Sequence, residues 1–480
     1  MKIKNNSIRV RFAPSPTGIM HLGNVRTALL NYLFAHQKEG TFVIRIEDTD
    51  PDRNFDPQAH QILQDLAWLG LDYDEGAQKS GPHAPYYQSE RTEIYQHQLD
   101  ILKGKNAVYR CFCSPEELER KRARSIALKI APRYDRTCLK LTSAQIETNL
   151  KEGIPFIWRF QIPENYVATV NDLAHGAINF DMNHFSDFPV SRSDGTFTFI
   201  FANCIDDILM NINYVLRGED HLSNTANQIV LYETFGAQAP TFWHLPIICN
   251  VDGKKLSKRD FGFSLNDLKN NGFLPEAINN YLAIIGGGSF AHEIMSMQEL
   301  IKAMLFDHIK PVSSVKYDVE KLKWVNHKWI QLYDPEQLAQ HTLPYIQATY
   351  PQIKNLEHHQ LINLLQIIKS ELSTLTDAVA KLHFYFEEPI LTKETILEHV
   401  PAELQPVLNA VIRKHLSSID NADQFLEHLK TDAKAAQIST KLLFTILRLG
   451  LTGSIHGPAI KDIITILGPA ESKRRFEKFA

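Results

Sequence analysis

Short apolar runs alternate with longer helical stretches over the first hundred residues. The runs IRVRF and TFVIRIE are rich in β-branched side chains, and LGNVRTALLNYLFAHQ confines its glycine to the first turn. Alternation of strands and helices in this order is typical of a parallel sheet whose strands are joined by helices. We therefore expect a nucleotide-binding α/β core to begin the chain.

The pattern changes twice further along. After residue 112 a basic, helix-like stretch leads into the runs IPFIWRFQIP and GAINFDMN, which predict strands of a separate insertion ending near residue 190. Strand–helix alternation then returns up to about residue 260. Beyond residue 262 the spacing turns helical, as in EHHQLINLLQIIKSELSTL, and Gly286 to Gly288 predict a bend or a helix end.

Composition narrows the class of protein. A chain of 480 residues with 44% hydrophobic and 22% charged side chains predicts a folded protein of about three domains. With 51 basic and 55 acidic residues, the net charge of −4 does not indicate a polyanionic partner. No run approaches the roughly 18 apolar residues of a membrane span, and the start MKIKNNSIRV lacks the apolar core of a secretory signal. We expect no membrane association and a cytoplasmic location.

A candidate anion site follows the first predicted strand. The run RVRF leads through a turn containing Gly18 into a helix expected to start near Leu22. Free N–H groups at a helix start, together with the helix dipole, favour a phosphate. His21 lies beside that point, and Gly23 removes a side chain that would block close approach. A simple helix cap is the alternative, because a four-residue pattern recurs by chance.

A second candidate anion site is the loop GKKLSKRD. Four cations, Lys254, Lys255, Lys258 and Arg259, follow Gly253 within a few residues. Like charges this close repel one another unless an anion lies among them. Taken alone, the loop is equally consistent with an exposed basic surface.

Together, HLGN and KLSKR resemble the HIGH and KMSKS signatures of class I aminoacyl-tRNA synthetases. RFAPSPTG, RIEDTD, YVLRGEDHLSNT and DGKKLSKR are similar to the glutamyl-tRNA synthetase branch, and LRLGLTGSIHGP to its bacterial anticodon-binding half. The resemblance implies a Rossmann-type α/β catalytic core with a parallel sheet, an α+β insertion, and an all-helical C-terminal half that binds the anticodon.

The resemblance also implies a domain order. Residues 1–111 and 191–260 would form the two halves of the core, and 112–190 the insertion that binds the acceptor stem. A helical stem-contact domain over 261–330 and the anticodon-binding domain over 331–480 would follow.

The implied reaction joins L-glutamate to the 3′ end of a tRNA through an adenylate, with ATP and Mg²⁺. The implied catalytic residues are His21, Lys255 and Lys258, because preorganised cations at a breaking triphosphate are worth about 10²–10³ in rate. Substrate groups act as the nucleophiles, so no side-chain base is required. We expect a monomer. The implied ATP-binding residues are His21, Gly23, Asn24, Lys255, Leu256, Ser257 and Lys258.

The implied glutamate pocket contains arginines and one acid. Arg11 and Arg217 suit the two carboxylates, Glu47 suits the ammonium group, and Ser15 and Asn203 fall on further pocket positions. The chain departs from the family at Phe199, where bacterial relatives commonly carry Tyr. A missing hydrogen bond to a charged group costs about 1.5–3 kcal/mol, so Phe199 is expected to weaken glutamate binding.

The cysteines Cys111, Cys113 and Cys138 cluster in the insertion, where some bacterial relatives bind zinc. A structural zinc takes four donors. Lys140, two residues beyond the last cysteine, cannot ligate while charged. The fourth donor is left open between Tyr134, His184 and none, and a cluster of reduced thiols that packs the insertion is the alternative.

The implied tRNA contacts lie in the helical half. Arg448 matches a position near the anticodon bases in relatives, with a half-buried helix arginine as the alternative, and Lys321, Lys323 and Lys328 are candidates for phosphate contacts.

Four other functions remain open. The chain could charge tRNA for glutamine as well as, or instead of, tRNA for glutamate. A noncatalytic RNA-binding paralogue is disfavoured by the intact His21, Lys255 and Lys258. A relative that glutamylates a modified base lacks the anticodon half, whereas about 150 further helical residues are present here. A simple nucleotidyltransferase would need neither this length nor the LTG segment.

Overall fold

The computed structural model of the chain describes residues 7–50, 54–79, 81–285, 290–306 and 311–479. The predicted bend at Gly286 to Gly288 lies outside these ranges. The chain divides into two units: the first comprises residues 1–267 and 278–319, and the second comprises 268–277 and 320–480. The finer boundaries expected from the sequence remain predictions.

Short strands, most of them with buried apolar side chains, build the sheets of the first unit. They are β1 (Arg9–Phe12), β2 (Thr41–Ile44), β3 (Glu75–Gly76), β4 (Val108–Cys111), β5 (Ile157–Phe160), β6 (Val167–Asp172), β7 (Gly176–Asp181), β8 (Tyr214–Gly218), β9 (Thr241–Leu245), β10 (Ile247–Cys249) and β11 (Ser314–Lys316).

Helices join these strands and continue toward the second unit. They are α1 (Leu22–Gln37), α2 (His60–Trp68), α3 (Thr92–Gly104), α4 (Pro115–Ala127), α5 (Ser143–Lys151), α6 (Phe199–Leu209), α7 (Leu222–Phe235), α8 (Leu265–Asn270), α9 (Pro275–Ile284) and α10 (Met297–Ala303).

The predicted parallel sheet is confirmed. Strands β1, β2 and β3 pair in parallel, and β8 pairs in parallel with β9. The two halves meet where the N–H of Asn213 donates to the carbonyl of Arg9 at 3.2 Å, beside β1 and β8. Parallel strands present their carboxyl ends at one edge, which is where ligands bind in such sheets.

The hairpin β6–β7 continues the sheet that contains β8 and β9. Asp172 of β6 pairs with Phe242 of β9, and the N–H of Leu173 donates to the Phe242 carbonyl at 2.7 Å. Sequence reasoning found β5 and β7 but missed β6, although its run VATVND buries every second residue. Strands assigned to an insertion thus share a sheet with the core.

A short strand interrupts the stretch that was predicted to be helical after residue 262. β11 pairs in parallel with β10, and the N–H of Tyr317 donates to the carbonyl of Cys249 at 2.8 Å. Three residues carry too little periodicity to be recognised as a strand. β10 leads directly into the basic loop.

The second unit is helical, as predicted. Apolar faces at helical spacing meet in a core that includes Phe425, Leu429, Ile446, Ile463 and Phe476. No helix among the described residues has the length and apolar character required to cross a membrane. Its helices are α11 (Val319–Leu332), α12 (Pro335–Thr349), α13 (His358–Ile368), α14 (Asp377–Lys381), α15 (His383–Phe386), α16 (Lys393–Leu397), α17 (Gln405–His415), α18 (Ala422–Ala435), α19 (Thr440–Thr452), α20 (Ile460–Leu467) and α21 (Pro469–Phe479).

Candidate active site

A cavity of about 750 Å³ opens at the carboxyl ends of β1 and β8. Both candidate anion sites contribute to its wall, although more than 200 residues of chain separate them. The predicted residues that line it are Arg11, Ser15, His21, Gly23, Asn24, Glu47, Phe199, Asn203, Arg217, Lys255, Leu256, Ser257 and Lys258.

One end of the cavity lies at the start of α1, which begins at Leu22 as expected. The Nδ1 of His21 accepts a hydrogen bond from the N–H of Asn24 at 3.3 Å, and the N–H of Leu22 donates to the carbonyl of Phe263 at 3.0 Å. The expectation of free N–H groups here is therefore wrong for Leu22 and Asn24. Burial, followed by the charge of Lys255, lowers the pKa of His21, so the ring stays neutral and able to accept.

Hydrogen bonds to the side chains of Asn250 and Asp260 fix the conformation of the basic loop, and its cations take no part in them. The side chain of Asn250 accepts from the N–H of Lys254 at 3.0 Å, and Asp260 accepts from the N–H and hydroxyl of Ser257, both at 2.8 Å. Leu256 is buried as an apolar anchor, and its N–H donates to β10.

Lys255 and Lys258 are exposed on this loop and line the cavity. Neither ammonium group forms a hydrogen bond or an ion pair with any residue that the structure describes. Two unpaired cations on a fixed backbone present a positive surface to an anion in the cavity.

Arg217 at the end of β8 dominates the other end of the cavity. Its Nη2 donates to Thr225 Oγ1 and to Gln228 Oε1, both at 2.6 Å, whereas Nε and Nη1 lack partners among the described residues. Burial, and then the charge of Arg11, lowers the pKa of Arg217 to about 10, which leaves it charged at neutral pH. A buried donor without an acceptor costs about 1–3 kcal/mol, so these two nitrogen atoms are candidates for binding an anion.

Glu47 and Asn203 lie beside Arg217 and contact each other. Glu47 Oε1 accepts from Asn203 Nδ2 at 2.5 Å and from Arg45 Nη2 at 3.1 Å. Burial raises the pKa of Glu47, and the positive charges of Arg45 and Arg11 oppose that rise. Gln228 donates to Asn203 at 2.8 Å and so joins this pair to Arg217.

A buried ion network beneath the cavity was not predicted. Asp207 accepts from Arg45 at 2.7 Å and from Arg11 at 3.3 Å, and Asp206 accepts from Arg91 at 2.7 Å. All five side chains are at most 3% exposed. Two adjacent acids within the apolar run CIDDILM of α6 were the sequence signal that could have revealed it.

Phe199 begins α6, and its ring centroid lies 5.3 Å from that of His221. Burial, followed by the charge of Arg217, lowers the pKa of His221 to about 4. His221 and Asp220 also line the cavity, and sequence reasoning assigned no role to either. Both belong to the YVLRGEDHLSNT motif, of which only the arginine was used.

The three cysteines of the insertion meet, with their sulfur atoms all within 4.8 Å of one another. Cys113 Sγ lies 3.6 Å from Cys138 Sγ. Tyr134 Oη lies 3.3 Å from Cys111 Sγ and 3.7 Å from Cys113 Sγ, so its hydroxyl adjoins the sulfur group. His184 instead pairs with Asp181, with 3.6 Å between Nε2 and Oδ2.

Arg448 in α19 is half-buried and engaged locally. Its guanidinium donates to the carbonyls of Ile455 at 3.1 Å and Pro458 at 3.4 Å, while Nε lacks a partner among the described residues. The arginine therefore ties α19 to the segment that follows it.

The predicted phosphate contacts surround an exposed aromatic ring. Trp324 is 38% exposed, and the ammonium groups of Lys321 and Lys328 lie 4.0 and 5.7 Å from its ring centroid. Lys323 pairs with Glu320 at 2.9 Å.

Two family descriptions match the chain. The family described as "tRNA synthetases class I (E and Q), catalytic domain" matches residues 7–324. The family described as "Anticodon binding domain" matches residues 337–480. Together the two matches cover nearly the whole chain.

Similar proteins and structures span the full length. The chain is 36% identical to a glutamate–tRNA ligase of Bacillus pumilus, covering 96% of this chain and 97% of that protein. A glutamate–tRNA ligase of Bacillus subtilis is also 36% identical, over 98% and 99%. The crystal structure of a glutamate tRNA ligase from Elizabethkingia meningosepticum, in complex with its amino acid, superposes with a TM-score of 0.86 at 31% identity, covering 98% and 99%.

Replacing Asp207 with Asn should destabilise the first unit. Asn cannot neutralise Arg45 and Arg11, and breaking a buried ion pair costs about 3–5 kcal/mol. Burial raises the pKa of Asp207, but the charges of Arg11 and Arg45 outweigh it and lower the pKa overall. The carboxylate therefore stabilises the fold above its ordinary pKa of 3.8, and this contribution is lost as the pH falls through the folded-state pKa.

The measurement is the thermal unfolding midpoint from pH 8 to pH 3. The gap between wild type and Asp207→Asn should be constant near neutrality and narrow below about pH 4. Asp100→Asn, at an exposed ion pair, is the control and should change little. A gap independent of pH would contradict the role given to this carboxylate.

Proposed function

Since the chain belongs to the family of class I tRNA synthetases for glutamate and glutamine, we infer that it is a glutamate–tRNA ligase. It joins L-glutamate to the 3′ end of tRNA specific for glutamate in an ATP-dependent reaction of protein biosynthesis. The reaction passes through glutamyl-adenylate and releases AMP and diphosphate.

The observation that carries the site assignment is the pair of unpartnered donors on Arg217. Nε and Nη1 are both buried and without a partner among the described residues, so the guanidinium keeps charged donors from which a carboxylate can accept. We assign Arg217 and Arg11 to the carboxylates of glutamate and Glu47 to its ammonium group. Asn203 holds Glu47, and Ser15 and Phe199 complete the pocket.

ATP is assigned to the opposite end of the cavity. His21, Gly23 and Asn24 border the nucleotide from α1, and the segment 255–258 borders it from the basic loop. As the glutamate carboxylate attacks the α-phosphate, negative charge builds on the phosphoryl oxygens and on the departing diphosphate. Lys255 and Lys258 stabilise that charge, together with the Mg²⁺ that accompanies ATP.

The purified protein should charge tRNA for glutamate with glutamate, and Arg217→Lys should impair this through glutamate binding. Lys offers a point charge that cannot reproduce the fixed planar donors of the guanidinium, so we expect KM for glutamate to rise at least about 100-fold. The measurement is the initial rate of aminoacylation against glutamate and, separately, against ATP. Normal glutamate KM in Arg217→Lys would remove this residue from the pocket.

The same assay with purified tRNA for glutamine tests the open question of tRNA choice. Charging of that tRNA would show a broader enzyme, and absence of charging a discriminating one. Lys255→Ala and Lys258→Ala should lower kcat with little change in glutamate KM, which separates failure of the chemistry from failure of the pocket.

Phe199→Tyr should strengthen glutamate binding. The added hydroxyl extends from a ring that already lines the cavity beside His221, and one hydrogen bond to a charged substrate corresponds to about tenfold lower KM. Phe261→Tyr, on an exposed ring outside the cavity lining, is the matched control. An unchanged or higher KM for Phe199→Tyr would count against this pocket assignment.

We propose that the cysteine group of the insertion holds a structural zinc with Tyr134 as fourth ligand. Tetrahedral Zn–S bonds of about 2.3 Å place sulfur atoms about 3.8 Å apart, close to the 3.6 Å between Cys113 and Cys138. Lys121 Nζ lies 3.9 Å from Cys113 Sγ, but burial raises the pKa of this thiol to about 12 in the absence of a metal. The cluster of reduced thiols remains the competing interpretation.

Protein purified without chelator should contain about one zinc per chain by elemental analysis. Cys138→Ser should lose it, and Tyr134→Phe should release it to a chelator faster because one donor is missing. Cys204→Ser, at a buried cysteine outside the cluster, is the control. Less than about 0.2 zinc per chain in wild type would refute the zinc site, since intact structural sites bind tightly.

For the tRNA we propose that the insertion meets the acceptor stem and the helical half meets the anticodon. The match of residues 337–480 to an anticodon-binding family supports the second contact. Arg448 remains the candidate at the anticodon, through Nε or through the loop segment that it holds. Lys321, Lys323 and Lys328 around Trp324 offer phosphate contacts beside a ring on which a base can stack. We further propose that the enzyme acts in the cytoplasm as a monomer.

A further inference from the structure

Three neighbouring strands align a row of polar residues behind the glutamate pocket. Arg217 of β8 pairs in register with His244 of β9, and Asp172 ends β6 on the other side of β9. These side chains are at most 5% exposed, and Thr225 of α7 lies over them fully buried. Neither sequence reasoning nor the assigned chemistry gives Asp172, His244 or Thr225 a role.

A continuous chain of hydrogen bonds connects these residues. His244 Nδ1 lies 2.8 Å from Asp172 Oδ2, and because a carboxylate only accepts, Nδ1 carries the proton. The neutral ring then accepts at Nε2, where Thr225 Oγ1 lies at 2.7 Å. With its hydroxyl proton directed to His244, Thr225 offers its oxygen to Arg217 Nη2 at 2.6 Å.

The Thr225 hydroxyl has a second possible acceptor, at a longer distance than His244 Nε2. The carbonyl of His221 lies 3.0 Å from the hydroxyl, one helical turn earlier. A hydroxyl that donates to imidazole becomes a stronger acceptor for a guanidinium, because hydrogen bonds in series polarise one another. Asp172 therefore acts on Arg217 through two intermediates.

We propose that Thr225, supported by His244 and Asp172, is a positioning residue for glutamate. It fixes Nη2 of Arg217 together with Gln228 and so sets the orientation of the guanidinium, whose Nε and Nη1 are the donors left without a partner among the described residues. A binding group must be held within about 10–20° of its productive geometry, so a guanidinium free to rotate binds a carboxylate less tightly. The proposal rests on the assignment of Arg217 to a glutamate carboxylate.

The first test is Thr225→Val, which keeps the side-chain shape and removes the hydroxyl. We expect KM for glutamate to rise about tenfold, with kcat within about twofold and KM for ATP unchanged, since the defect lies in substrate positioning. Thr225→Ser should restore wild-type KM. Thr234→Val is the matched control, because the hydroxyl of Thr234 on the same helix donates to the carbonyl of Val230 one turn back.

The second test asks whether His244 acts through Thr225. His244→Asn keeps a donor for Asp172 and removes the acceptor at Nε2, so we expect glutamate KM to rise about threefold in the wild-type background and not at all in Thr225→Val. An equal rise in glutamate KM in both backgrounds, or no rise in the wild-type background, would overturn the proposed series of hydrogen bonds.

Arg217→Lys separates the possible failures. If it raises glutamate KM while Thr225→Val leaves KM unchanged, the pocket assignment stands and the positioning role fails. If Arg217→Lys itself has no effect on KM, the pocket assignment fails. A loss of kcat and thermal stability in Thr225→Val that Thr225→Ser does not repair would also refute positioning.

Discussion

The catalytic half depends on two acids buried side by side in α6. Asp206 and Asp207 are surrounded by Arg11, Arg45 and Arg91 beneath the cavity, and the opposite charges offset the cost of taking one another out of water. Removing an acid or an arginine from this network leaves an uncompensated buried charge. The network joins β1, β2, α6 and the 3₁₀ turn before α3, so the floor of the pocket is set by electrostatics rather than by apolar packing alone.

The cavity above this network contains polar groups that have no hydrogen-bond partner among the described residues. Arg217 retains two donors without acceptors, while every neighbouring polar group used in its support, from Gln228 to Asn203, is paired. An unsatisfied buried donor opposes folding, and proteins retain such groups where a ligand supplies the missing partner. The contrast between the paired support and the two unpaired nitrogen atoms of Arg217 supports the proposal that a carboxylate of the substrate binds there.

Sequence reasoning selected Arg, Lys, His and Glu residues next to strand ends, and the structure brings them to one cavity, while their roles remain predictions. It could not predict their partners: Asp207 is 196 positions from Arg11, and only the assembled sheet brings them together. The N–H of Leu22 failed as a phosphate donor for the same reason, since a distant loop at Phe263 already accepts it. Strand β11 was missed because tertiary pairing, not local periodicity, creates a strand of three residues, whereas β6 was missed because its burial does not follow hydrophobicity: Val167 is exposed and Asp172 is buried.

The bare lysines of the loop 253–259 also bear on nucleotide turnover. Long cationic side chains that contact nothing in the described fold keep their rotamer freedom, and ordering each one costs up to about 2 kcal/mol. Intact ATP gains little binding free energy from these lysines after that cost. The transition state, in which negative charge builds on the phosphates, gains more. If the loop binds ATP as proposed, this cost would favour fast exchange of ATP and fast release of diphosphate over tight binding of either.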